Sequence, residues 1–220
     1  MNSHINSHLI ADSMKTSIQN LSTNIREILF QSKSEQTFSE LLCEKLNSQL
    51  EISDSKFLVE IKGQESKSET GKKTLNSHDI ALLDCTGTLR LTIENKVWYH
   101  FDGAKGLNGV LNQNVIDQLK GDIFKTRLSM DTYRNQGFIL ICLVTPNLFT
   151  KYESSHKTAL KRVNGDFEIY MRDSVAGIRS YLSTVNHLKD LIHLNYRLEA
   201  GNIRSGMLDI FCAEIKEMGA

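Results

Sequence analysis

The chain reads as an α/β fold, bordering on α+β, in which a mixed central β-sheet is flanked by helices. Three observations predict this. Apolar residues recur at helical spacing near the start, after residue 37 and from Asn114. Alternating or wholly apolar strand-like runs lie between those stretches. The resulting order of helix, strand, hairpin, helix, buried strand, strand and helix suits a sheet with both faces covered. At 220 residues the chain can build one packed domain with an extension. The expected organisation is an N-terminal helical extension over 1–36, a core over 37–172, and a C-terminal helical region over 173–220 that packs on the core.

The first helix is expected from about Ser13 to Phe30, with Met14, Ile18, Leu21, Ile25, Ile28 and Leu29 on its apolar face. After QSKSEQ, the Thr37-Phe-Ser-Glu40 capping-box pattern starts a helix that continues through Leu50, with Phe38, Leu41, Leu42 and Leu46 inward. Lys56 to Ile61 alternates as a strand, and the polar GQESKSETGKKTLNSH that follows reads as a mobile loop. HDIALLD and LRLTIENKVWYHF form a hairpin about Cys-Thr-Gly-Thr. Helical spacing returns over Asn114 to Leu128, and Gly137 to Pro146 is a fully buried strand closed by the single proline. Asp166 to Met171 reads as a strand, Val175 to Leu194 as a helix, and a further helix is expected near the end.

Hydrophobic residues make up 40% and charged residues 24%, which excludes wholesale disorder. Lysine plus arginine (26) equals aspartate plus glutamate (26), so any nucleic-acid surface must be a local basic face. Lys72, Lys73, Lys120, Lys125, Arg127, Arg134, Lys157, Lys161 and Arg162 could supply it. Cys43, Cys85, Cys142 and Cys212 form no C-x-x-C pair and read as buried free thiols. With no secretory pattern and no apolar run longer than Phe138 to Val144, a reducing, cytoplasmic location without membrane contact is expected. The seven histidines have no zinc spacing.

The hairpin carries the chemistry. With Thr86 and Gly87 as central turn residues, cross-strand partners have numbers summing to 173, which sets Asp79 opposite Glu94. Opposed positions place Cβ atoms about 4.5–5.5 Å apart, close enough for two carboxylates to share one hard cation. Lys96, two residues on, shares the face of Glu94. Asp84 would pair with Leu89 near the turn, roughly 17 Å along the strand from Glu94, and is set aside. Two acids and an ammonium suit phosphodiester hydrolysis, in which metal activates water and charge develops on phosphate oxygens.

In Asp79 and the Ile-Glu-Asn-Lys strand carrying Glu94-Asn95-Lys96, the chain resembles the PD-(D/E)xK nuclease superfamily, with His78 where the named motif has proline. The resemblance spans about Phe38 to Pro146 and implies a restriction-endonuclease-like fold for the core. It implies metal binding by Asp79, Glu94 and the Asn95 carbonyl, with Lys96 assisting catalysis. Glu40 looks like the first-helix acid of many members, Glu44 being an equally accessible alternative, and Gln118 resembles the glutamine some members carry after the lysine strand. The implied activity is Mg²⁺-dependent hydrolysis of DNA, with Mn²⁺ able to substitute, by an endonuclease of restriction or defence type and in a homodimer if both strands are cut.

The pattern E-x-K occurs four times, at Glu60, Glu65, Glu94 and Glu214, and only Glu94 combines a strand, an opposed aspartate and a following helix. Against the catalytic reading stands a solvated cross-strand charge cluster of little energetic weight. A silent module of the same fold that binds nucleic acid or protein, and an unrelated interaction domain, are the other function classes. Trp98 and Tyr99 read as packing residues rather than a base-stacking platform.

Overall fold

The strand FILICLV is apolar at every position because helices cover both of its faces. The computed structural model describes residues 5–32, 34–49, 56–62, 66–67, 73–74, 77–100, 111–144, 167–200 and 203–217. In it this strand, β6 (Gln136–Val144), lies inside a six-stranded mixed sheet. The other strands are β1 (Lys56–Lys62), β4 (Ser77–Leu83), β5 (Leu89–Tyr99), β7 (Leu188–Ala200) and β8 (Ile203–Ile215). Their order is β1-β4-β5-β6-β8-β7. Only β5 and β6 pair in parallel; every other neighbouring pair is antiparallel.

Strand alternation divides the core in two. Phe138, Leu140, Cys142 and Val144 face a layer of α1 (Ser7–Gln19), α2 (Thr23–Ser32) and α3 (Glu35–Gln49), which contributes Ile10, Met14, Ile18, Phe30, Phe38 and Leu42. Ile139, Ile141 and Leu143 face α4 (Gln113–Tyr133) and α5 (Phe167–Thr184), which contribute Leu119, Ile123, Ile178 and Leu182. The expected α/β layering is therefore present. At the start of β6 the contact is tight, because a Cβ on Gly137 would sit 2.5 Å from Thr126 Cγ2 and 2.7 Å from Met130 Sδ. Gly137→Ala is expected to destabilise by about 1–3 kcal/mol through overpacking, read as a lowered urea midpoint at unchanged slope.

Several expectations are corrected. The first helix is two, because Ser22 starts a new one: its Oγ accepts from Ile25 N at 3.4 Å and its carbonyl from Arg26 N at 3.0 Å. Ile25 and Ile28 consequently turn outward. Within the expected N-terminal extension, Ile10, Met14 and Ile18 are fully buried in the main core. The second helix begins at Glu35, where Ser34 Oγ accepts from Thr37 N at 3.2 Å, so Thr37 and Glu40 lie inside it rather than forming a capping box. Within the loop expected over 63–78, Ser66–Lys67 (β2) pairs with Lys73–Thr74 (β3), and Ser77 and His78 belong to β4.

The C-terminal region expected to be helical is mostly strand. Phe167–Thr184 is one helix, where a strand and then a helix were expected, and β7 and β8 extend the sheet beyond β6. Glu214 accordingly lies on β8. Cys43, Cys142 and Cys212 are buried, but Cys85 is exposed at the hairpin turn. No described helix is long and apolar enough to cross a membrane. Lys72, Pro146, Lys157, Lys161 and Arg162 fall outside the described residues.

A buried polar cluster lies on the β7–β8 side of the sheet. The fully buried Asp209 of β8 accepts from His100 Nε2 (2.8 Å), His193 Nε2 (2.7 Å) and Asn195 Nδ2 (2.8 Å). Burial alone would raise this carboxyl, but hydrogen bonds from His100 and His193 outweigh it and hold Asp209 well below the usual carboxylate range. The His193 ring stacks on Phe211 with centroids 4.2 Å apart, which fixes its plane.

Candidate active site

The hairpin reaches the expected register by a different turn. Gly87 N donates to Asp84 O at 2.9 Å, so Cys85 and Thr86 are the central residues, and Gly87 follows with φ 76° in the left-handed region. Leu83 then pairs with Leu89, and Asp84 N bonds to Thr88 O rather than facing Leu89. A bulge between Leu82 and Leu83 shifts the count back, giving Leu82↔Leu91 and Ile80↔Ile93. The two departures cancel. Asp84 is fully engaged in the turn: Oδ1 accepts from Thr86 N, Thr86 Oγ1 and Thr88 N, and Oδ2 from Arg90.

The β4–β5 ladder ends at Ile80↔Ile93, whereas β5 runs on to Tyr99. Extending the register sets Asp79 beside Glu94, and alternation sends both toward α4. Asn95 goes toward α3, where its Nδ2 donates to Ser39 Oγ (3.1 Å) and Glu35 O (3.2 Å). Beyond the ladder, the Asp79 carboxylate takes the place of backbone: its Oδ2 accepts from Asn95 N at 2.8 Å. His78 Nδ1 donates to Glu94 Oε1 at 2.9 Å across the opened strands.

Glu94 is fully buried, and its second oxygen lies 2.5 Å from Lys125 Nζ on α4. Lys96 Nζ stands 3.4 Å from Glu35 Oε2 and 3.6 Å from Asp122 Oδ2, and so bridges the N-terminal end of α3 and the middle of α4. Its own burial would push it down, but Asp122, Glu35, Asp79 and Glu94 together raise it above the ordinary lysine value. Asp122 is itself pushed up to about 6, chiefly by burial and then by the charges of Glu94 and Asp79, against the opposing pull of Lys96 and Lys125.

No protein-family model, curated protein or solved structure matches the chain. The site therefore rests on its own geometry.

A hydrogen bond joins Asp79 to Asn95, and the charges of Asp79 and Glu94 both act on Lys96; Glu40 does not join them. Both Glu40 and Glu44 are exposed, and Glu40 accepts from Gln36 Nε2 at 3.1 Å instead. The acid that approaches Lys96 from the first core helix is Glu35. Gln118 is exposed and shares with Glu35, Trp98 and Asn112 the wall of a cleft of about 360 Å³. Trp98 is 6% exposed and packs with the α4 and α5 side chains, as a core residue would.

Asp122 was missed at the centre, and Lys125, expected only among the residues of a basic face, sits there too. Their spacing with Gln118 (i, i+4, i+7) puts three polar side chains on one stripe beside the buried Leu119 and Ile123. That stripe was the available signal. Among the described residues no three His, Cys, Asp or Glu side chains form a ready metal cage. Mg²⁺ commonly takes only one or two protein carboxylates and keeps several waters. Asp79 and Glu94 are such a pair, and their charges add to burial in raising the Asp122 carboxyl beside them. The donor set fits a hard divalent ion.

Proposed function

We propose that the chain is a divalent-metal-dependent endonuclease that hydrolyses DNA phosphodiester bonds, of restriction or defence type. The observation that carries this reading is the placement of Asp79, the buried Glu94 and Lys96 where the β4–β5 ladder opens. The succession α3, β1, β4, β5, α4, β6, with β5 parallel to β6, supports a restriction-endonuclease-like core for these residues.

Asp79, Glu94 and the Asn95 carbonyl would hold Mg²⁺ or Mn²⁺. A strand residue projects N–H and C=O to the same edge, so the Asn95 carbonyl faces the side on which its N–H meets Asp79. A bound cation there supplies Lewis-acid stabilisation of phosphate oxygens and an acidified water. Lys96 adds a second positive charge for the developing negative charge and a donor to orient the attacking water. Asp122 and Glu35 hold its ammonium from two helices. His78 fixes one oxygen of Glu94, and Asn95, tied to α3, fixes the strand. Gln118 and Trp98 line an approach from the cleft. Cutting both strands would use a second copy of the chain.

One observation favours a second reading. Asp79 is engaged by Asn95 N–H and Glu94 by His78 and Lys125, an arrangement that also suits a silent nuclease-fold module binding nucleic acid. Incubating supercoiled plasmid with Mg²⁺ or Mn²⁺ separates the two. Wild type is expected to nick or linearise it and Asp79→Ala to leave it intact. Binding of plasmid by wild type without cutting would establish the silent module, and neither binding nor cutting would remove both readings.

A further inference from the structure

A carboxylate buried as completely as Glu94 needs positive charge or hydrogen-bond donors beside it, and Lys125 supplies a full charge at 2.5 Å. The two partners differ in freedom. The Glu94 side chain is 1% exposed and the Lys125 side chain 28%, so the ammonium has an outlet to solvent that the carboxylate lacks. Lys125 sits on α4 one turn beyond Asp122, on the stripe that faces Lys96. A divalent ion on Glu94 would repel an ammonium on the same carboxylate, and the flexible lysine is the partner able to leave.

Resting on the reading of Asp79 and Glu94 as metal ligands, we propose that Lys125 is an exchangeable cation: it holds Glu94 until a divalent ion takes that carboxylate, then turns to a phosphate of the bound DNA. No bond is made or broken in the exchange. The pocket thereby stays charge-balanced before metal arrives, and the displaced ammonium becomes a contact to substrate near the cation.

Two binding measurements on the full chain test this without cleavage. Titration calorimetry with Mn²⁺ and no DNA is expected to show Lys125→Met binding roughly tenfold tighter than wild type, the competition of a partly exposed ion pair having been removed. Lys125→Gln, which can still donate to Glu94 but is uncharged, is expected to shift in the same direction and covers the case in which the methionine variant does not fold. Lys125→Arg is expected to stay near wild type. With a short DNA duplex in Ca²⁺, the methionine variant is expected to lose about 0.9 from the slope of log affinity against log salt, one phosphate contact's share. Mn²⁺ affinity that is unchanged or weaker in both uncharged variants overturns the exchange. If wild type binds Mn²⁺ and Glu94→Gln abolishes it, that failure belongs to the exchange alone; if wild type binds no Mn²⁺, the metal-site reading falls as well.

Discussion

Lys96→Met is expected to slow Mg²⁺-dependent DNA cleavage roughly 10²–10³-fold, the usual cost of deleting one preorganised charge-stabilising donor. Methionine keeps most of the length and apolar stem, so packing beside β6 survives while the ammonium goes. Four carboxylates then lose their common counter-charge, since Asp122, Glu35, Asp79 and Glu94 all act on Lys96. Asp122, already raised to about 6, rises further because Lys96 is the chief group lowering it. Divalent-ion affinity is therefore expected to hold or improve while turnover collapses. Single-turnover cleavage beside a Mn²⁺ titration reads both quantities. Cleavage at the wild-type rate would place the chemistry elsewhere.

The second large effect lies away from this site. Asp209→Ala is expected to cost roughly 3–5 kcal/mol, the range for breaking a buried charge-assisted set by removing one partner. His100, His193 and Asn195 would all lose their shared acceptor. Against a typical total of roughly 5–15 kcal/mol this is a severe loss, visible as a large fall in Tm or in the urea midpoint. The sign of its pH dependence follows from the depressed carboxyl. An aspartate held below its ordinary 3.8 contributes fully above that value and loses its contribution as pH falls toward the folded-state value. The stability gap between wild type and Asp209→Ala should thus be widest near neutrality and narrow on acidification below about 4. A gap independent of pH across that range would mean that Asp209 acts through packing alone.

How much of this was readable from residues alone differs from element to element. β6 was plain, because an unbroken apolar run flanked by helical patterns has few other fates. The hairpin register was also legible, Ile80 pairing with Ile93 as partner numbers summing to 173 require, though the turn at Cys85-Thr86 and the bulge at Leu82/Leu83 each moved the register by one and happened to cancel. β7 was hidden for a local reason. Asp190 takes a φ of 51°, and the ladder slips between Lys189 and Ile192. Leu188 and Leu191 consequently join one core and Ile192, Leu194 and Leu198 the other. Read along the chain, that change of face imitates helical spacing. The stripe of Gln118, Asp122 and Lys125 can be read along α4, but its turning toward Lys96 and Glu94 cannot, because the rotation of the helix against the sheet is set by tertiary packing.

The hairpin turn has a practical consequence. Burial pushes the Cys43 thiol up to about 12 and the Cys142 and Cys212 thiols upward as well, so none of these offers appreciable thiolate near neutral pH. Cys85 stands in the open at the tip of β4 and β5. A maleimide dye should accordingly attach there alone in the native chain, giving a fluorescent reporter six residues along the chain from Asp79 without any engineered mutation.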